Sequence, residues 1–205
     1  MQHSKPNELG SIKLQGHIKI SDPLTNEIFI DKRNAIHYEN FSIALANGVG
    51  NTGVGFISEM AFGTGGSNVD PTGIITYLTP NSSGSNANLY NQTYYKVIDS
   101  QNPYNKDPSR NFMEVRHIQG TPYSDLMIRC LLDYGEPSGQ AAFDTSTGQS
   151  GSFVFDEIGL RGYSSNGPGT GPLLTHVIFH PVQKSLNRLI QIDYTIRIQS
   201  VTSGV

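Results

Sequence analysis

The chain has no tryptophan and a single cysteine, Cys130. A lone thiol excludes an intramolecular disulfide framework, so a packed core must hold the fold. Charged residues fill only 15% of the 205 positions, against about 25% in ordinary soluble domains. Long salt-bridged helices are therefore not expected. No block of Lys or Arg occurs and the net charge is −3, so the electrostatic footprint of a nucleic-acid binder is missing. No run approaches the roughly 18 apolar residues of a membrane-spanning helix. The opening MQHSKPNELG lacks the apolar stretch of a secretory leader.

In place of charge the chain carries 22 glycines and many Asn, Ser and Thr. That composition suits turns and neutral polar surfaces. Between the turns, apolar residues alternate. In SIKLQGHIKI, Ile12, Leu14, Ile18 and Ile20 share one face, and Lys13, Gln15, His17 and Lys19 the other. DLMIRCLLDY places Leu126, Ile128, Cys130 and Leu132 together. LIQIDYTIRIQ does the same with Ile190, Ile192, Tyr194, Ile196 and Ile198. About ten such strands, without helices between them, predict a mainly β fold: an antiparallel, jelly-roll-like β-sandwich with long loops. The expected layout is an extended arm over 1–10, one sandwich domain over 11–200 and a tail over 201–205.

One helix is expected near residues 35–47, within NAIHYENFSIALANG. Asn34 is the predicted cap and Gly48 the predicted stop, with Tyr38, Phe41 and Leu45 on one stripe beside Ile36 and Ala44.

Several patterns invite a chemical reading. GVGNTG, from Gly48 to Gly53, fits the letters of a dinucleotide-binding turn, but it follows a helix and precedes a strand. A phosphate there would meet the negative end of the helix dipole. The glycines are expected to stop the helix at Gly48, in a left-handed conformation, and turn the chain at Gly50, Gly53 and Gly55. HVIFH spaces His176 and His180 four apart, but the segment reads as extended, and the two would lie about 13 Å apart, too far to share a zinc. Cys130 falls on an apolar strand face, where packing rather than reactivity is expected. Asp156 and Glu157 are adjacent on a strand, so they are expected to point to opposite faces. No catalytic residue, cofactor site or metal site is assigned, and the chain reads as non-enzymatic.

Ten tyrosines remain. Tyr90, Tyr94, Tyr95 and Tyr104 lie in or beside the loop-rich middle, and Tyr163 in a late glycine-rich turn. These five are the candidate interface residues, since aromatic groups in neutral loops suit protein contacts. Stacking on sugars and simple loop anchoring are the alternatives. The segments expected to touch neighbours are Met1 to Gly10, Gly63 to Asp70, Thr79 to Asn105 and Tyr163 to Pro172.

A resemblance adds to this reading. The segments GHIKISDPLTNEIFIDKRNAIHYENFSIALANG, MAFGTGGSNVDPTGIITYLTPN and LLDYGEPSGQAAFD, and the order DEIGLRG, LLTHVIFHPV, IQIDYTIRI, are similar to virion structural proteins of tailed bacteriophages, nearest to those of contractile-tailed cyanophages. The resemblance implies a virion protein of the neck, tail or baseplate type, assembled in the host cytoplasm as a symmetric oligomer. Its implied partners are copies of itself and other virion proteins, with no nucleic acid, membrane or small-molecule substrate. A capsid decoration protein and a carbohydrate-binding adhesin module are the alternative functions. No catalytic residue is carried over.

Overall fold

The computed structural model describes residues 10–84, 87–142 and 152–202. Its elements run β1 (Gly10–Ser21), β2 (Ile28–Ile36), α1 (Tyr38–Val49), β3 (Ile57–Gly63), β4 (Ser67–Val69), β5 (Ile75–Tyr77), β6 (Gln92–Val97), β7 (Phe112–His117), β8 (Tyr123–Leu132), β9 (Ser152–Gly162), β10 (Thr175–Ser185) and β11 (Ile190–Thr202). Residues 1–9 of the expected arm and 203–205 of the expected tail lie outside the described residues. Gly10 and Thr202, placed in those segments by the sequence, pair with each other as the ends of β1 and β11.

Nine strands form one antiparallel sheet in the order β6-β3-β9-β10-β2-β1-β11-β8-β7, and β4 with β5 make a separate ribbon. The sheet is narrow at one seam. There β10 meets β2 only through Thr175–Ile36 and His176–Ala35. On either side of it the sheet forms two leaves, β6-β3-β9-β10 and β2-β1-β11-β8-β7, and one apolar cluster joins their inner faces. The first leaf gives Phe62, Phe153 and Phe155; the second gives Ile20, Ile192 and Cys130, which are cross-strand neighbours. The alternation in β11 does what its period demands: Ile190, Ile192, Tyr194 and Ile196 are all fully buried. Each such side chain contributes roughly 1.5–3 kcal/mol by leaving water. Burial pushes the Cys130 thiol up to about 12, which suits a packing residue. The fold is mainly β and sandwich-like.

The outer faces of the two leaves differ. On the second leaf the outer face is open and charged, with rows such as Asp31, Lys19, Asp193 and Arg129 running across the strands. On the first leaf it is roofed by loops. All seven residues of β3 are buried, and Ala61, Leu89 and Leu173 form a second small cluster under the roof.

The helix differs from expectation at both ends. Asn34 is not its cap; it stays in β2, opposite Gly16 of β1. The fit is tight enough that a Cβ on Gly16 would fall 1.7 Å from Asn34 Oδ1. His37 caps instead, its Nδ1 accepting from the Asn40 amide at 3.2 Å. At the other end Gly48 does not adopt positive φ or stop the helix. The helix continues to Val49, and Gly50 caps it with φ −73°, its amide donating to Ala46. The left-handed residues come later, at Asn51, Gly53 and Gly55. Asn tolerates that region, so the turn needs no glycine at its first left-handed position. Phe41 and Ala44 pack inward as expected, whereas Tyr38 is exposed.

Candidate functional site

The roofed face of the first leaf gathers charge that the sequence pattern did not assign to one place. Glu59, Asp156, Glu157, Arg161 and His176 are all buried there or at its margin. Asp156 and Glu157, expected to diverge, both reach the same loop. Glu157 Oε1 accepts from the Gly65 amide at 3.2 Å, and Asp156 accepts from the amides of Gly66 and Ser67 at 2.9 and 2.8 Å. An irregularity in the β9–β10 register, between Ile178 and Val182, breaks the strict alternation on which the divergence rested.

Glu157 also accepts from the amides of Tyr90 and Asn91 at 3.0 and 2.8 Å. Its Oε2 takes a further bond from His176 Nε2 at 2.9 Å. Burial alone would raise this carboxyl. The His176 hydrogen bond and the two amides outweigh burial and hold it below its usual value. At Asp156 and Glu59 burial wins, and both carboxyls are raised.

Buried His37 and His176 each have one tautomer dictated by the backbone. The Asn81 amide can only donate, so His176 Nδ1 accepts it at 2.8 Å and the ring proton sits on Nε2, facing Glu157. His37 repeats the arrangement, with Nδ1 on the Asn40 amide and Nε2–H donating to the Gly84 carbonyl at 2.8 Å. Neither ring keeps a free nitrogen. Arg161 spends its guanidinium on Gln92, Asn88 and the Gly171 carbonyl. Glu59 takes the Gly169 amide at 2.7 Å. The loops over 64–67, 79–84, 87–91 and 164–171 are thus pinned from beneath while much of their upper side faces solvent.

The five tyrosines do not form one surface. Tyr94 is 6% exposed and packs against Phe62 and Phe153, so most of its side chain lies in the core. Tyr95 and Tyr104 line a shallow pocket of about 210 Å³ with Lys106, Glu136 and Gln140. Tyr90 stands apart, its hydroxyl donating to the Thr79 carbonyl and its ring beside His176. Tyr163 stacks on Phe56 with ring centroids 5.0 Å apart. Three of the expected contact segments carry the pinned loops; of the fourth, only Gly10 is described.

Two further features come from the fold alone. A groove of about 450 Å³ opens between α1 and the end of the second leaf, lined by Leu45, Val49, Phe56, Val115 and Ile198 among others. Inside the molecule, Lys184 is fully buried and donates to the carbonyls of Asp133, Glu136 and Ser185. Among the described residues no group of three His, Cys, Asp or Glu is placed to hold a metal. His176 and His180 part company: the first is buried, and the second is exposed near Tyr77. No helix among the described residues is long and apolar enough to cross a membrane.

Sequence reasoning missed the pinning cluster. The signal was present in FVFDEIGLRG, where three charges interrupt an otherwise buried strand. A charge in such a place must be paired or hydrogen-bonded. Comparison with known proteins finds no matching family model, no matching curated protein and no matching solved structure.

Proposed function

We propose that the chain is a non-enzymatic structural protein of a bacteriophage virion, built as a symmetric oligomer into the neck, tail or baseplate, where it bridges neighbouring components. Its partners are copies of itself and other virion proteins. The observation that carries this reading is how the buried polar groups are used. Asp156, Glu157, Arg161, His37 and His176 all bond to backbone or side chains of the loops above them. A Glu–His pair suited to proton transfer needs an open nitrogen, and His176 has none. Loops fixed in this way present a rigid surface, which suits permanent contacts better than a moving lid does. The sequence resemblance to virion proteins points the same way.

Antibodies against the purified protein, applied to particles of the phage that encodes it, test the proposal. Gold label at a fixed site on neck, tail or baseplate is expected. Label on the head surface favours a decoration protein, and particles without label contradict the virion role.

The pocket that Tyr95 shares with Tyr104 favours a second reading, a carbohydrate-binding module, since exposed aromatic rings beside polar groups stack on sugars. Glycan binding lost on Tyr104→Ala and kept on Tyr90→Ala is the outcome that reading requires.

A further inference from the structure

The two free margins of the folded sheet are finished differently. At one margin β6 is covered. The Gln140 side chain accepts from the Tyr95 amide at 2.9 Å and donates to the Tyr95 carbonyl at 3.0 Å, and the Ala141 amide donates to the Thr93 carbonyl. At the other margin, among the described residues, no loop or side chain bonds to the outer edge of β7. Glu114, Val115, Arg116 and His117 are exposed, Val115 by 71%. An open edge offers unpaired N–H and C=O groups to another strand.

We propose that β7 is a self-association edge, on which a second copy of this chain pairs antiparallel about a two-fold axis through Val115. The inference deepens the assembly reading above and rests on it for its biological setting. The local sequence FMEVRH fits this register. With the axis at Val115, Glu114 of each copy lies opposite Arg116 of the other. Moving the axis to Glu114 or to Arg116 sets like charges face to face, which is destabilising. Moving it by half a step joins the inner face of one copy to the outer face of the other.

Both faces of the second leaf continue smoothly across such a junction. On the outer face, Arg197, Asp125 and Arg116 are cross-strand neighbours of alternating sign, and Arg197 holds Asp125 through two bonds of 2.8 Å. Glu114 of the second copy supplies the next negative charge. In the single chain, Arg116 turns back along its own strand to Glu114 at 3.0 Å. On the inner face, Ile196, Leu126 and Val115 form an apolar row that runs to the edge and stops at exposed Val115. The two-fold brings Val115 against its copy and sets the two apolar grooves side by side.

Light scattering across a concentration series tests the proposal with four proteins: wild type, E114R, E114R/R116E and V115D. The wild type is expected to be a dimer or an even multiple. E114R should raise the dissociation constant about tenfold or more, because both symmetric pairs become repulsive. E114R/R116E restores both pairs across the axis, while its new carboxylate at position 116 faces Asp125 within the chain, so it should recover part of the loss. V115D places two carboxylates on the axis and should be monomeric at that edge. All three substituted side chains are exposed, and an unchanged melting curve confirms that each variant is folded. A wild type that stays monomeric, an E114R protein with unchanged mass, or a double variant no better than E114R overturns the proposal. An oligomer untouched by E114R removes this edge and leaves the assembly reading standing. A dimer that behaves as expected, from a chain absent from particles, does the reverse.

Discussion

His176 Nε2 donates to Glu157 Oε2 at 2.9 Å, and neither side chain has any exposed surface. The pair stands between two loop anchors, the Asn81 amide on His176 and the Tyr90 and Asn91 amides on Glu157. Glu157→Gln keeps the shape but removes the charge and one acceptor oxygen. It is expected to cost about 2–4 kcal/mol, as loss of buried charge-assisted bonds does. Urea unfolding measures the loss, and hydrogen exchange at Tyr90 and Asn91 should speed up. A loss below about 0.5 kcal/mol would show that the pair does not hold the loop.

The same carboxyl sets an acid dependence. Its folded value lies below the ordinary 4.5. Between the two values the unfolded chain binds the extra proton, so stability from Glu157 is complete above 4.5 and is lost as pH falls through the folded value. Asp156 and Glu59 are raised and act with the opposite sign: they disfavour the fold at neutral pH and are relieved on protonation. Glu157→Gln should therefore lose less stability than the wild type as pH drops below 4.5. Equal acid limbs for the two proteins would contradict the assignment.

Lys184 bonds to three carbonyls inside the sandwich. Lys184→Met leaves those acceptors without a donor and should cost about 2–4 kcal/mol, although it fills the same space. Burial pushes the ammonium down to about 8 from 10.5. Between these values the unfolded chain holds more protons, so the Lys184 contribution to stability rises with pH across that window and is flat in the Met variant. Urea midpoints at pH 7.5 and pH 10 compare the two.

Gly16 and Asn34 should be coupled. A Cβ at position 16 would overlap the Asn34 carboxamide, so Gly16→Ala is expected to lose about 1–3 kcal/mol. Asn34→Ala removes the obstacle, and the double variant should recover most of the loss. Additive losses would mean that Gly16 is required for some other reason.

The parts of the fold that were legible in the sequence are those where one face is buried and one is wet. Ile190, Ile192, Tyr194 and Ile196 alternate with polar residues because the outer face of β11 is open. The first leaf is covered on both faces, so β3 and β9 give no clean alternation, and Asp156 with Glu157 could not be placed from period alone. The segment 79–91 reads as a plain exposed loop because its anchors come from residues about 50 to 100 positions away in the chain. Local pattern carries no record of such partners. Tyr94 shares its local composition with Tyr90 and Tyr95, yet falls on the inner face of β6. The helix start was misread because an Asn before an apolar stripe is the commoner cap, and here a histidine accepts the amide instead.

On the function proposed above, this chain is a fixed component of an assembled particle. Quantitative mass spectrometry of purified particles, scaled to a protein of known copy number, tests it most directly. The chain is expected in every preparation at a constant whole-number stoichiometry that survives stringent washing. Absence from particles, or an amount that varies between preparations, would contradict it.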